Sequence, residues 1–298
     1  MATDEAFRAS VLELVGQLAE DGSGGIRPDS TLSDVGFDSL AFAELAVTVE
    51  ERFGIDLVDG VPASPRTVAD VVELIETAGE SRRAGDGIRD GIGRFQRAAG
   101  RTAGGVLRWW FDIRVWDAER MPATGPVVLC MNHESLLDIP VAVVASPRPV
   151  TFMAKRELFG NRATARLFHE LGGFSVDRAA FDLRAITIAL DVARRGEVLG
   201  MYPEGTRTPG TLLPFLPGAA WIALHAGASL VPCAITGTDA AMPPGTRIPK
   251  RVPVVVAFGR PIPVDPVDDR VKRRAEAVRL TAELRASIEG LLAEADHG

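Results

Sequence analysis

The spacing of apolar positions changes character part-way along the chain. Over the first eighty or so residues it is helical: Phe7, Val11, Leu14 and Leu18 form one stripe, which stops at the glycine-rich run 22–25. A second amphipathic segment covers 40–53. A third opens near Val68, where Thr67 and Asp70 have the spacing of a capping box. This pattern predicts a small all-α bundle, just large enough to fold alone. The polar stretch 79–87 (GESRRAGDG) reads as a linker, which sets two domains at 1–78 and 88–298.

From residue 126 onward, strand-like runs alternate with helical ones. Val127–Met131, 150–153, 197–201, 230–235 and Val254–Phe258 are short, apolar and often rich in valine. Between them, 158–171, Leu183–Arg194 and 219–226 have helical spacing, and a long terminal helix brings Val271, Ala275, Val278 and Ile288 into one register. Such alternation predicts an α/β domain, with helices flanking a mainly parallel or mixed sheet.

The segment 88–116 links the two patterns. Ile88, Ile92, Phe95, Ala99, Val106, Trp109 and Ile113 share a helical face, with Arg89, Arg94, Arg97, Arg101 and Arg108 interspersed and Trp110, Phe111 and Trp116 at the far end. Two readings fit. Arginine beside indole suits the headgroup layer of a membrane surface; alternatively the helix packs on its own domain and its arginines face water. Five glycines between Gly91 and Gly105 weaken the helix in either case.

Charge sharpens the division into two parts. Residues 1–80 hold 17 acidic and 4 basic side chains, whereas the remainder holds 23 acidic and 29 basic, within a net charge of −7. An acidic bundle joined to a mildly basic domain predicts different partners for each, and nothing in the pattern points to nucleic acid. No window reaches the roughly 18 apolar residues of a membrane-spanning helix. The opening MATDEAF lacks the apolar core of a signal peptide. A cytoplasmic protein is expected, with any membrane contact peripheral, at the inner face of the cell membrane. Cys130 and Cys233 lie in apolar strand-like runs and read as buried free thiols. No cluster of His, Cys or acidic residues has metal-ligand spacing.

Two stretches carry chemistry. The first is VGFDSLAFAELAVTVEERFGIDL, residues 35–57. Asp38 can cap the second helix, leaving Ser39 at its first turn, where unpaired backbone N–H groups and the positive helix end favour a phosphodiester. This segment resembles the phosphopantetheine attachment region of acyl carrier proteins. The resemblance implies that Ser39 carries a 4′-phosphopantetheine arm, installed by a phosphopantetheinyl transferase, whose thiol holds an acyl chain. Asp34, Asp38, Glu44, Glu50 and Glu51 would then supply the acidic face of a carrier.

The second is NHESLLD, residues 132–138, between a strand and a helix. Ester formation from a thioester needs a base for the acceptor hydroxyl, and imidazole titrates near neutral pH. Asp138 can orient His133 through the other ring nitrogen. A separation of five does not align two side chains on a regular helix. His133 must therefore sit on the turn, with Asp138 at the helix start, where Pro140 is tolerated. Ser135 is expected to hydrogen-bond locally. Further on come GFSVDR (173–178), YPEGTRT (202–208) and Val231-Pro232, with Lys155 near Glu157 and Leu158. In this order the blocks resemble those of the glycerolipid acyltransferases, the glycerophosphate and 1-acylglycerol-3-phosphate enzymes.

The resemblance implies a catalytic dyad of His133 and Asp138. It implies an acceptor site at Glu204, Gly205, Thr206 and Arg207, and a hold on acceptor phosphate by Arg178 and Lys155. The donor would be an acyl thioester on the chain's own carrier, on a separate carrier or on coenzyme A. The acceptor would be a lipid-like hydroxyl such as that of lysophosphatidate. One departure bears on the acceptor: PFLPG places Leu216 and Pro217 where the family commonly has basic residues. That favours the alternative of a specialised O- or N-acyltransferase with a non-glycerolipid acceptor. An alternative of another class is a carrier module whose second domain only docks.

Overall fold

The computed structural model describes residues 2–18, 27–55 apart from 33 and 38, 65, 67–80, 103–155, 173–176, and 183–297 apart from 209, 244, 247 and 268. The chain divides into two compact units. One comprises Met1–Gly87 with Ser175–Ile188, the other Ile88–Phe174 with Ala189–Gly298.

The first unit contains α1 (Ala2–Leu18), α2 (Ser39–Phe53) and α3 (Val68–Glu80). Val11, Leu14, Val15 and Leu18 of α1 bury against Leu45 and Val49 of α2 and Val68, Val71 and Ile75 of α3, with Leu32, Val35 and Phe37 from the intervening loop. The capping box of α3 is reciprocal: the Thr67 amide donates to Asp70 Oδ2 at 2.9 Å and the Asp70 amide to Thr67 Oγ1 at 3.2 Å. An exposed Arg8–Glu76 pair, 2.6 Å apart, joins α1 to α3. Helix α3 runs through Glu80, two residues into the stretch read as linker; 81–87 lie outside the described residues.

The rest of the chain forms a mixed sheet of seven strands. These are β1 (Ile113–Trp116), β2 (Val127–Met131), β3 (Val150–Lys155), β4 (Gly173–Val176), β5 (Val198–Met201), β6 (Ser229–Thr236) and β7 (Val254–Phe258), in the order β1-β7-β6-β2-β5-β3-β4. β2 pairs in parallel with β5 and β6, β3 with β5, and β1 with β7, whereas β6 and β7 run antiparallel. Every residue of β2 is buried, which is why VVLCM has no alternation: a central parallel strand is covered on both faces. The other described helices are α4 (Ala103–Trp110), α5 (Asp138–Ala145), α6 (Leu183–Arg194), α7 (Gly218–Ala226), the short α8 (Thr238–Ala241) and α9 (Arg270–His297). No helix among the described residues is long and apolar enough to cross a membrane.

Two expectations are corrected. The helical face drawn as far as Ile113, with Trp116 beyond it, does not extend there: the chain turns at Phe111 and Asp112 and continues as strand β1 beside β7. Phe111 is buried and its carbonyl accepts the Val254 amide at 3.0 Å, so it belongs to the core, while Trp109 and Trp110 remain exposed. The remainder of 88–102 and the expected helix 158–171 lie outside the described residues. In α9 the inward stripe is Ala277, Leu280, Leu284, Ile288 and Leu291; Val271, Ala275 and Val278 face solvent.

Candidate active site

The carboxyl ends of three adjacent parallel strands, β5, β2 and β6, converge on one place, the usual position for a site in an open α/β sheet. His133 follows β2 by two residues, Glu204 follows β5 by three, and Thr238 follows β6 by two.

His133 sits on the turn and Asp138 opens α5, as the spacing required. The ring Nδ1 lies 2.8 Å from Asp138 Oδ2. That same oxygen accepts the amides of Glu134 and Ser135 at 2.8 and 2.9 Å, while Oδ1 accepts the Thr238 hydroxyl at 2.5 Å. A carboxylate only accepts, so in neutral imidazole Nδ1 carries the proton and Nε2 is the basic nitrogen. Asp138 is wholly buried and His133 nearly so. The imidazole stacks on Tyr202 (centroids 4.0 Å apart, planes 20° apart), and Tyr202 lies parallel to Phe152 at 6.2 Å.

The YPEGTRT segment grips the His133 backbone. Glu204 Oε1 accepts the His133 amide at 2.8 Å, and the Thr208 amide donates to the His133 carbonyl at 2.8 Å. Glu204 Oε2 accepts the Leu213 amide at 3.0 Å. Both oxygens are therefore engaged with main chain, so Glu204 shapes the turn. Burial raises its pKa; the amides of Leu213 and His133 oppose that shift, Asp138 adds to it and Arg285 counters it. Gly205 takes φ +69°, a left-handed conformation that favours glycine, and its amide closes the turn onto Tyr202. Thr206 and Arg207 are exposed. Leu216, in the position of a family basic residue, is 61% exposed.

Beside the dyad lies a cleft of about 250 Å³ walled by Asn132, Glu134, Glu204, Thr236, Asp239 and Leu292, among others; His133 is not part of its wall. Its titratable lining is acidic. Burial, with Asp239 and Asp138 adding repulsion, pushes Glu134 up to about 7 against a hydrogen bond from Asn132 that lowers it.

Lys155 is the last residue of β3 and Ser39 the first of α2; Arg178 and Asp38 lie outside the described residues. Cys130 and Cys233 are free and fully buried, and burial keeps both thiols protonated, unsuited to act as nucleophiles. Ser135 bonds locally by accepting the Leu137 amide at 3.4 Å, and it also donates to the distant Met242 carbonyl at 3.3 Å. Sequence reasoning missed Thr238 and the clamp made by Asn132, whose amide exchanges two 2.8 Å bonds with the Ile235 backbone. The only hint for Thr238 was a hydroxyl residue just after an apolar strand and a glycine.

Known proteins resemble this chain in sequence and fold. Residues 112–236 match the family described as Acyltransferase, and 9–75 match the phosphopantetheine attachment site. The chain is 30% identical over 151 residues to a 1-acyl-sn-glycerol-3-phosphate acyltransferase of Bacillus subtilis, a match spanning 50% of this chain and 73% of that protein. The chain belongs to the acyltransferase family. Another acyltransferase carrying the same name, from Limnanthes alba, is 29% identical over 188 residues, 60% of this chain and 67% of that one. Among solved structures, the acyltransferase PlsC from Thermotoga maritima superposes with a TM-score of 0.54 at 24% identity, over 66% of this chain and 80% of that one. At that identity the likeness speaks for the fold. The protein is thus an acyltransferase joined to a phosphopantetheine attachment domain.

Proposed function

We propose that this acyltransferase esterifies the hydroxyl of a 1-acylglycerol-3-phosphate with an acyl chain delivered as a thioester by its own carrier domain. The observation that carries the reading is the His133–Asp138 contact, fixed at the end of β2 beside the Glu204 turn. The names of the relatives from Bacillus subtilis and Limnanthes alba supply the acceptor.

In this mechanism His133 Nε2 takes the proton of the acceptor hydroxyl as its oxygen attacks the thioester carbonyl. Asp138 stabilises the imidazolium, which returns the proton to the departing thiolate. The Glu204 turn holds the His133 main chain, and Arg207, with Arg178 and Lys155, meets the acceptor phosphate. Ser39 stands at the first residue of α2, where helix-start amides suit a phosphodiester. A 4′-phosphopantetheine arm there, added by a phosphopantetheinyl transferase, supplies the thiol that bears the acyl chain. The carrier domain runs through the end of α3 at Glu80 and the acyltransferase domain from 88 to 298, and a short tether between them raises the local donor concentration into roughly the millimolar range.

Trp109 and Trp110, with Arg251 5.0 Å above the Trp109 ring, support peripheral contact with the inner face of the cell membrane in a cytoplasmic protein. A second reading keeps the chemistry with an uncharged acceptor; exposed Leu216 and the acidic cleft favour it.

Intact mass measurement tests the leading reading. Acyl-loaded protein should show its added mass on Ser39 and lose the acyl group to lysophosphatidate but not to glycerol or a long-chain alcohol. His133→Ala should stay loaded. Transfer at the normal rate by that variant would exclude the dyad, and transfer to the uncharged alcohols alone would favour the second reading.

A further inference from the structure

The turn that bears the dyad is laced to the end of β6 and the segment that follows it at three points. Asn132 and the Ile235 backbone exchange two bonds of 2.8 Å, Asp138 Oδ1 takes the Thr238 hydroxyl at 2.5 Å, and Ser135 Oγ reaches the Met242 carbonyl at 3.3 Å. The middle bond bears on the chemistry. Thr238 is completely buried, and its hydroxyl is spent on the carboxylate: Gly237 occupies the N-cap of α8, and no side chain caps that helix. Gly237 makes this placement available, because its φ is +85° and a Cβ there would run into the Pro253 carbonyl oxygen.

From this geometry we infer that Thr238 is a positioning residue for acyl transfer, holding Asp138 so that Oδ2 stays turned to His133. The inference rests on the dyad reading above. A carboxylate turns easily about its last torsion. Three donors, the His133 ring and the amides of Glu134 and Ser135, fix Oδ2, but Oδ1 has Thr238 as its partner, and both Asp138 and Thr238 are fully buried. Without that donor the buried oxygen lacks a hydrogen bond, which the carboxylate relieves by rotating and drawing Oδ2 away from the ring. The hydroxyl also draws charge from the carboxylate, so its loss alters the field felt by the imidazolium.

The test compares Thr238→Val with Thr238→Ser in the full acyl-loaded chain. Turnover of lysophosphatidate is measured across pH, and the His133 ring titration is followed by NMR. The valine variant should lose roughly ten- to a hundredfold in kcat, as losses of an orienting hydrogen bond do elsewhere, with KM little changed. Its His133 midpoint should be displaced, and serine should restore both. Thr238→Ala serves the same comparison should valine disturb folding. A valine variant with wild-type kcat, or one whose loss comes with an unmoved His133 midpoint, overturns the assignment. Failure of the wild-type chain to use lysophosphatidate defeats the acceptor reading instead, and the NMR midpoint still decides Thr238.

Discussion

The main-chain amide of His133 donates to Oε1 of Glu204 at 2.8 Å, so the proposed base is held by a side chain 71 residues further along. The other oxygen of Glu204 takes the Leu213 amide. Glu204→Gln keeps one accepting oxygen and turns an NH2 group toward the second amide. Equilibrium urea unfolding should show a loss of about 1–3 kcal/mol, the cost of stranding a buried donor. Turnover should fall with it, because whichever amide meets the NH2 group, the turn that holds the His133 main chain is disturbed. Unchanged stability and turnover together would mean that the turn holds the histidine by other means.

Gly200 governs the same site from behind. A Cβ at this position of β5 would lie 2.5 Å from Phe152 Cε1 and 2.8 Å from Val150 Cγ1. Phe152 lies parallel to Tyr202, on which the His133 ring stacks. Gly200→Ala should destabilise the protein by about 1–3 kcal/mol through overpacking and lower kcat by tilting the stack. Thermal denaturation and steady-state turnover check the two effects; a variant normal in both would show that Phe152 moves without consequence.

Glu134 should make stability depend on pH. Its pKa is raised from 4.5 to about 7 by burial and by its neighbours Asp239 and Asp138. A carboxyl with a raised folded-state value binds its proton more tightly folded than unfolded. Its contribution is therefore complete below about pH 4.5 and is lost as pH climbs to about 7. Glu134→Gln removes this dependence, so the variant should match the wild type at low pH and grow more stable than it across that interval. Urea unfolding at pH 4.5 and pH 8 measures the difference; a gap of equal size at both would rule out the ionisation.

Much of this was legible in the sequence, for reasons that differ by element. β2 and β7 are continuous apolar runs, and a strand buried on both faces advertises itself. NHESLLD required a turn followed by a helix start, and the geometry follows that logic. β1 was hidden because Ile113–Trp116 is only 4 residues long and half-buried, with its apolar positions continuing the helical phase of 88–110 by coincidence. Helix α9 offered two stripes, and the valines at 271 and 278 drew attention from the alanine and leucines that pack inward. Thr238 left almost no local mark, since its partner is 100 residues away.

At the opposite end of the sheet, Arg148 donates to the carbonyls of Pro122, Gly125 and Gly196, in the loops that lead into β2 and β5, while itself leading into β3. One guanidinium thus knots the entrances of three strands whose frame supports the chemistry at their exits. Because the knot is tied at the entrances, changes in the exit loops need not loosen the frame beneath them.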